Sequence, residues 1–354
     1  MKVLYSGGGT LGAVSPLFAI HAEFQSRADY QGLWVGRKGQ REQALALERG
    51  LKIFSVVEAR ARHAESDGWF SLTTLVFPFY FLGAFLKALA IIVWQQPQVH
   101  ITCGSFVSVP VALAAWFCRV PTIVHQQDLI PGLANRLMAK MARKVTVAFP
   151  ELGPKFGIKA IVTGNPARPE VLLGDKAQAL ERFGLKEKIP TIFVVGGSTG
   201  AVGVNNLIEK ALPELTAHFQ VLHMTGASMI PRVEHRYRAV QFMNQEISDA
   251  YALADVVVAR AGLSTMTEIG ALRKPAVLIP IPGSHQIKNA EFFSSKGAAL
   301  TFSEDGDPHE FAAMLIGLAG DSIQLQKLGE RARDLFPTDA AKRIVEVVEK
   351  VAAK

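Results

Sequence analysis

Two glycine-rich turns constrain this chain more than any other feature, because each joins a strand-like apolar run to a helical pattern. Gly7 to Thr10 follows the run Val3 to Tyr5, and Gly196 to Thr199 follows the run Thr191 to Val195. A helix that begins after such a turn points backbone N–H groups and the positive end of its dipole at the turn, which suits phosphate binding. The repeat predicts two α/β halves, each with an anion-binding turn near its start.

Strand-like runs alternate with helical patterns along both halves. The runs are short and continuously apolar, which indicates parallel strands buried on both faces, as in a doubly wound α/β fold. The predicted strands of the first half are Val3 to Tyr5, Gly32 to Gly36, Ile53 to Val57, Val99 to Cys103, Thr122 to His125 and Val145 to Phe149. Those of the second half are Thr191 to Val195, Val221 to Thr225, Val256 to Ala259, Val277 to Pro280 and Ala298 to Phe302. Predicted helices include Pro16 to Arg27, Gly39 to Arg49, Asn205 to Leu215 and Met266 to Leu272.

The boundary between the halves is predicted in the stretch Pro150 to Pro169, which is interrupted by proline and glycine. We therefore expect an N-terminal domain over residues 1–163 and a C-terminal domain over residues 164–340. The amphipathic pattern of residues 341–354 predicts a last helix that packs back on the first domain. Ligands of open α/β sheets bind at the carboxyl ends of the strands, so we expect the active site in a cleft between the halves.

Composition narrows the possible partners without choosing one. The net charge of +7 favours an anionic partner such as a phosphorylated metabolite or an acidic membrane surface. The basic residues are scattered without interleaved aromatic side chains, so we expect no nucleic-acid binding. Two cysteines exclude a disulfide framework and favour a reducing compartment. The apolar run at the N-terminus is too short for a signal peptide, so we expect no export.

An apolar segment from Trp69 to Trp94 stands apart from this pattern. It carries no charged side chain over eighteen residues up to Leu86, and Lys87 is followed by another apolar run. Three interpretations stay open: a transmembrane helix, a pair of wholly buried core helices, or a partly exposed surface that docks on a membrane. Basic residues of the same half would then pair with anionic lipid heads: Lys87, Arg136, Lys140, Arg143 and Lys144.

The first glycine turn matches the dinucleotide pattern G-x-G-x-x-G over Gly7 to Gly12. That fingerprint requires an acid at the end of the second strand, where Gly36, Arg37 and Lys38 stand instead. NAD is therefore disfavoured, although Arg37 leaves an NADP-linked oxidoreductase as an alternative. A third possibility is that these glycines only allow a helix to pack closely.

Polar groups of the second half indicate a phosphate and ribose ligand more specifically than the first glycine turn does. The turn around Ser198 is expected to hold a phosphate through backbone amides and the serine hydroxyl. A second loop, Gly262 to Thr265, also enters a helix, and Glu268 follows on that helix. A carboxylate there can accept both hydroxyls of a ribose while the loop amides face phosphates. The competing interpretation is a capping box between Glu268 and Thr265.

Six blocks of this sequence resemble those of the MurG-type glycosyltransferases in order and approximate spacing, over nearly the whole chain. They read GGGTLGAVSPL, HQQDLIPGLANRLMAKMA, VTGNPAR, GGSTGAVGVN, ARAGLSTMTEIGAL and SHQIKNAEFFSSKGAA. The resemblance implies a GT-B fold, in which two Rossmann-like domains face each other across a cleft. It also implies an inverting enzyme that uses no metal or other cofactor and binds its donor, UDP-N-acetylglucosamine, mainly on the C-terminal domain.

Carried over by position, the resemblance assigns most donor contacts to the second half. Ser198 and Arg168 would hold the diphosphate, a backbone group near Ile247 would read the uracil, and Gln286 would contact the sugar hydroxyls. The loop and helix start would line the phosphates and ribose, with Glu268 on the ribose hydroxyls. That segment comprises Leu263, Ser264, Thr265, Met266, Thr267 and Glu268. From the first half, Thr10, Leu11 and Gly12 would lie near the acceptor pyrophosphate.

The first half departs from the family pattern at the acceptor loops. Ala13 stands where the family has a histidine after the glycines, and H-E-Q-N becomes His125, Gln126, Gln127 and Asp128. We hypothesise that Asp128 supplies the missing carboxylate as the catalytic base. The alternative is that Asp128 only hydrogen-bonds the donor sugar, as an asparagine would. His125 is a weaker candidate because it ends a strand.

These observations predict an N-acetylglucosaminyltransferase on the cytoplasmic face of the cell membrane. It would transfer the sugar to undecaprenyl-pyrophosphoryl-muramyl-pentapeptide (lipid I), a polyprenyl-pyrophosphate-linked acceptor, and bind the anionic membrane surface through residues 69–94. The alternatives are a related UDP-sugar transferase with another lipid-linked acceptor, the NADP-linked oxidoreductase, and a protein that binds the donor without catalysis.

Overall fold

A computed structural model describes residues 1–9, 11–56, 72–196 and 201–353, and in the segment 72–76 it describes the backbone only. The chain divides into two compact units, which we describe separately. The first unit comprises Met1–Asn165 together with Asp339–Lys354, and the second comprises Pro166–Thr338.

The strands, in chain order, are β1 Lys2–Ser6, β2 Gln31–Arg37, β3 Lys52–Val56, β4 Val99–Thr102, β5 Thr122–Gln126, β6 Lys144–Val147, β7 Ala160–Val162, β8 Thr191–Val195, β9 Gln220–Met224, β10 Arg232–Glu234, β11 Tyr237–Val240, β12 Val256–Ala259, β13 Ala276–Leu278 and β14 Leu300–Thr301.

The α-helices are α1 Leu11–Phe24, α2 Arg41–Glu48, α3 Leu72–Gln95, α4 Ser108–Phe117, α5 Leu133–Met141, α6 Gly153–Phe156, α7 Lys176–Phe183, α8 Val202–His218, α9 Glu246–Leu253, α10 Leu263–Ala271, α11 Gln286–Ser295, α12 Pro308–Gly320, α13 Ser322–Leu335 and α14 Ala340–Ala352. Short 3-10 turns cover Pro150–Leu152, Gly157–Lys159, Pro169–Leu173 and Gly226–Ser228.

The sheet of the first unit has the strand order β3-β2-β1-β4-β5-β6-β7, and all of its pairs are parallel. The order reverses between β1 and β4, where Leu4 lies opposite both Leu33 of β2 and His100 of β4. This is the Rossmann arrangement, in which the loops after β1 and β4 meet at the switch point of the sheet.

Both faces of this sheet are covered, as its unbroken apolar strands require. Val3 and Tyr5 of β1 pack towards α1 and α14, whereas Leu4 packs towards α3 and α4. The last helix, α14, joins this core through Ile344 and Val348, both fully buried. The C-terminal segment of the chain is therefore part of the first unit.

The second unit repeats the same topology. Its order is β10-β11-β9-β8-β12-β13-β14, and only the edge pair β10–β11 is antiparallel within the described residues. The strand order reverses between β8 and β12, so the carboxyl ends of these two parallel strands lie side by side at the switch point. Each unit is therefore a Rossmann-like α/β domain, as the sequence predicted.

Helix α3 excludes one of the three interpretations of the apolar segment. Phe77–Gln95 is the one described helix whose length and composition would allow it to cross a bilayer, a property that core helices share. Only 22% of that stretch is buried, so the prediction of wholly buried core helices is wrong. The buried face of α3 includes Ala84, Ala88 and Ile91. The two alanines are small enough to let α3 pack closely against the sheet and α4. Residues 69–71 lie outside the described part of the chain.

Three histidines are buried within the sheets as neutral, hydrogen-bonded groups. His100 contacts the hydroxyls of Ser6 and Thr122, at 2.7 and 3.2 Å. Burial lowers the pKa of His100 and of His223 to about 3, and that of His125 to about 4, against 6.5 ordinarily. Below pH 6.5 the unfolded chain therefore binds protons that the folded chain does not.

We predict that the free energy of unfolding falls as the pH drops from about 6.5 towards 4. Each of the three histidines contributes at most about 1.4 kcal/mol per pH unit. Urea unfolding at a series of pH values measures the slope. A His100→Gln variant should have a shallower slope, and the same substitution at the exposed His235 should leave it unchanged. Equal slopes in wild type and His100→Gln would contradict the assignment.

Candidate functional site

Helix α10 begins at the carboxyl end of β12, beside the switch point of the second unit. Gly262 is its N-cap, and no side chain among the described residues caps it. The first N–H groups of a helix have no partner within the helix, so the start of α10 can receive an anion. This loop carries the predicted residues Leu263, Ser264 and Thr265.

Glu268 lies one turn further along α10 and is almost completely buried, with 3% of its surface exposed. Arg168 donates from Nε to its Oε1 at 2.7 Å. Arg168 stands just before the 3-10 turn Pro169–Leu173, a hundred residues earlier in the chain. The structure thus joins two residues that the sequence assigned to different parts of the donor.

The electrostatics of this pair are set by its burial. Burial alone would lower the pKa of Arg168, but the adjacent Glu268 carboxylate outweighs it and raises that pKa above its ordinary value. Tyr251 of α9 is fully buried nearby; burial, and then the Glu268 charge, raise its pKa well above 10, so it remains a neutral phenol. The pair is therefore an ion pair whose carboxylate is buried and whose guanidinium is partly exposed.

The capping-box interpretation of Glu268 is wrong. Thr265 is the third residue of α10, not its N-cap, and Glu268 is the sixth. Met266 and Thr267 lie between them and are buried. A capping box requires the acidic side chain at the third helical position, so Glu268 cannot form one. Its carboxylate instead accepts from Arg168.

The remaining predicted donor residues of this unit occupy separate elements. Ile247 is the second residue of α9, so its backbone N–H belongs to a first turn. Gln286 begins α11, and its Oε1 accepts from the Ile281 N–H at 3.3 Å, which shapes the preceding turn. Ser198 lies outside the described residues.

Two features of this site were missed by the sequence analysis. Asn289 is fully buried and donates to the Ala261 carbonyl at 3.0 Å, so it ties α11 to the loop before α10. Arg260 donates to the Ile279 carbonyl at 3.0 Å and pairs with Glu304. These bonds hold the ends of neighbouring strands in register. Arg260 stands two residues before the loop and Asn289 three residues after Gln286, and neither position alone indicated these contacts.

In the first unit, the loop after β5 is built on two buried amide side chains. Gln126 donates from Nε2 to the Asp128 carbonyl, and its Oε1 accepts from Asn135, both at 2.6 Å. Asn135 stands in the first turn of α5. A glutamate at position 126 would lack the donor that forms this turn, so the amide fits the altered loop.

His125 is a core residue. Its ring nitrogens contact the Thr146 hydroxyl at 3.0 Å and Asn165 Oδ1 at 2.8 Å, with no surface exposed. Because both nitrogens are engaged and burial lowers its pKa to about 4, it is unsuited to take a proton from a substrate near neutral pH.

The loop that carries Asp128 touches the start of α1. Gln127 donates to the Ala13 carbonyl at 3.1 Å. The predicted residues Leu11 and Gly12 form the first turn of α1, and Thr10 lies outside the described residues. Asp128 itself is partly exposed. The two acceptor loops that depart from the family pattern are therefore neighbours.

A buried carboxylate at this switch point was also missed. Glu42, in the first turn of α2, is 3% exposed, and its Oε1 has no hydrogen-bond partner among the described residues. It lies so close to the first glycine loop that a Cβ at Gly8 would be 3.3 Å from this oxygen. The sequence analysis looked for an acid at the end of β2 and found none, whereas one reaches the loop from α2.

Family models match both units. The glycosyltransferase family 28 N-terminal domain matches residues 3–147, and the glycosyltransferase family 28 C-terminal domain matches residues 191–344. The first match spans the glycine loop that resembled a dinucleotide fingerprint, so the NADP-linked oxidoreductase is not favoured.

Curated relatives match along the chain. A protein of Lachnoclostridium phytofermentans is 31% identical and covers 100% of this chain and 99% of its own length. A second, from Bacillus cereus, is 33% identical over 86% of this chain and 87% of its own. Both are named UDP-N-acetylglucosamine--N-acetylmuramyl-(pentapeptide) pyrophosphoryl-undecaprenol N-acetylglucosamine transferase, the second with the suffix 2.

Solved structures share the fold. Acinetobacter baumannii MurG aligns with a TM-score of 0.73 at 23% identity, covering 99% of both chains. A UDP-GlcNAc 2-epimerase of Neisseria meningitidis, bound to UDP-GlcNAc, aligns at 0.72 with 13% identity, covering 99% of this chain and 100% of its own. The matches to both family models and to full-length relatives show that this chain is a glycosyltransferase and belongs to family 28, among the MurG-type enzymes.

Proposed function

We propose that this protein transfers N-acetylglucosamine from UDP-N-acetylglucosamine to lipid I and so forms lipid II for peptidoglycan synthesis. The observation that carries the proposal is the 31% identity, across the whole chain, with a relative named for this reaction. The geometry of the second unit supports a uridine diphosphate donor, because a helix start and a buried carboxylate lie on the same helix.

The donor would lie with its phosphates at the start of α10 and its ribose at Glu268. The helix N–H groups stabilise the negative charge that develops on the leaving diphosphate. Arg168 and Ser198 remain proposed diphosphate ligands, Ile247 the uracil contact and Gln286 the sugar contact. We propose that this positive potential comes from the protein without a bound metal.

The acceptor reaction needs a base. A hydroxyl of the acceptor sugar attacks the anomeric carbon, the bond from that carbon to the diphosphate oxygen breaks, and the configuration inverts. The hydroxyl proton passes to a carboxylate, for which we propose Asp128, and the bonding electrons leave with UDP. The Gln126 bond to the Asp128 backbone supports this role, because it fixes the turn that carries the carboxylate.

We further propose that the first unit docks on the anionic cytoplasmic face of the membrane. Phe79, Leu82, Leu86 and Val93 of α3 recur at helical spacing on one face and are each more than half exposed. Trp116 and Phe117 of α4 are exposed next to them, and the Phe117 ring centroid lies 6.4 Å from that of Phe85. Contiguous exposed aromatic and aliphatic side chains mark an interaction surface.

Basic side chains of the same unit support a lipid partner rather than a protein partner. Lys87 interrupts the apolar helix at an exposed position, and Arg136, Lys140 and Arg143 are exposed on and after α5, which packs on α4. Lys144 is partly buried. A basic residue near an anionic bilayer contributes about 1 kcal/mol.

If Asp128 is the catalytic base, turnover requires its carboxylate. Asp128→Asn should lower turnover of lipid I with radiolabelled UDP-N-acetylglucosamine by about a hundredfold or more, because it removes the base. The double variant Gln126→Glu/Asp128→Asn places a carboxylate at the family position but removes the Gln126 donor to the Asp128 carbonyl, so it should recover only part of that loss.

Glu48→Gln on the exposed surface of α2 is the matched control and should retain full turnover. Full turnover by Asp128→Asn would reject Asp128 as the base. Wild-type transfer to another polyprenyl-linked acceptor in preference to lipid I would overturn the proposed acceptor.

The membrane prediction uses the α3 face. Replacing Phe79, Leu82 and Leu86 by serine should abolish cosedimentation with vesicles that contain phosphatidylglycerol, because each side chain contributes about 1 kcal/mol or more of apolar burial. Ile158→Ser, which removes an exposed apolar side chain elsewhere in the same unit, should leave binding intact. Unchanged binding by the triple variant would locate the docking surface elsewhere.

A further inference from the structure

The contact between Arg168 and Glu268 uses only part of each side chain. Arg168 donates from Nε alone, at 2.7 Å, and among the described residues its two terminal Nη groups form no hydrogen bond. The Arg168 side chain keeps 22% of its surface exposed, against 4% for Glu268. A guanidinium has five N–H donors in a rigid fork, so its Nη groups can bind a second anion while Nε stays engaged.

The carboxylate of Glu268 can also accept further hydrogen bonds. Its two oxygens offer about four lone-pair sites, of which the Arg168 bond takes one. Without Arg168, the carboxylate would be a buried charge with its strongest partner removed, and its orientation would no longer be fixed. Tyr251 also lies beside this carboxylate, but Arg168 is the charged partner that donates to it, so we expect the orientation of Glu268 towards a ribose to depend on Arg168.

We infer that Arg168 is a positioning residue for ribose recognition in addition to its proposed contact with the diphosphate. Its Nε holds Glu268 so that the carboxylate accepts from the ribose hydroxyls, and its Nη groups face the phosphates. This inference rests on the proposed UDP-sugar donor. It predicts that the two ends of the donor are coupled through one side chain, whereas a residue that binds only phosphate would leave ribose recognition unchanged.

The experiment measures this coupling with nucleotides that each lack one ribose hydroxyl or one phosphate. Dissociation constants are determined by calorimetry for UDP, 2′-deoxy-UDP, 3′-deoxy-UDP and UMP, on the full chain. In the wild type, removing a ribose hydroxyl that contacts Glu268 should weaken binding about tenfold or more. The ratio of the UMP and UDP constants reports the phosphate contact.

Arg168→Lys separates the two roles, because lysine keeps the positive charge but has no Nε–H in the guanidinium plane. We call the ratio of the dissociation constants of deoxy-UDP and UDP the deoxy penalty. In Arg168→Lys this penalty should fall below threefold, while the ratio of the UMP and UDP constants should change by less than threefold. Glu268→Gln should also reduce the penalty, and Arg168→Lys should add no further loss in that background. Arg168→Met removes both the charge and the Nε–H, so both the deoxy penalty and the ratio of the UMP and UDP constants should fall towards one. This variant serves as the second test if the lysine variant does not fold.

Arg232→Lys is the matched control. Arg232 is in the same unit and its Nη2 lies 2.6 Å from Glu209, but it is 35% exposed and stands on the edge strand β10, so its replacement should leave both ratios unchanged. A full deoxy penalty in folded Arg168→Lys would overturn the positioning role and leave the donor assignment intact. A wild-type protein that binds none of the four nucleotides would instead reject the proposed function on which the inference rests.

Discussion

Parallel strand pairing is the constraint on which both candidate sites depend. Every strand of the first sheet, and every strand but the edge strand β10 in the second, runs in the same direction as its neighbours. Their carboxyl ends therefore lie along one edge, and the loops that follow them converge at the point where the strand order reverses. The polar groups of each unit gather there because the remainder of each strand is buried on both faces.

The two units use this common frame differently. In the second unit, an uncapped helix start and a buried ion pair form a site with positive potential and one fixed carboxylate. In the first unit, the loops after β1 and β5 meet through Gln127 and Ala13, and their turns are held by neutral amides. The loop that departs from the family pattern is therefore internally consistent, since Gln126 supplies the donor that its turn requires.

The sequence predicted most of the strands but few of the contacts. Continuous apolar runs such as Thr191 to Val195 coincide with β8, because a strand covered on both faces must be apolar throughout. The edge strands β7 and β10, and β11 beside β10, were not predicted. Arg232–Glu234 is a short polar edge strand, and Tyr237–Val240 alternates buried and half-buried residues. The Arg168–Glu268 pair could not be derived from spacing, since only the packing of α10 against the 3-10 turn brings the two residues together.

The central claim is that a uridine diphosphate is bound with its ribose at Glu268 and its phosphates at the start of α10. A crystal structure of the protein with UDP tests this most directly. The account predicts both ribose hydroxyls within hydrogen-bond distance of the Glu268 carboxylate, with Arg168 Nε still on Oε1 and the phosphates at the Gly262 to Thr265 loop. Density for UDP away from α10, or an Arg168 side chain that has left Glu268, would contradict it.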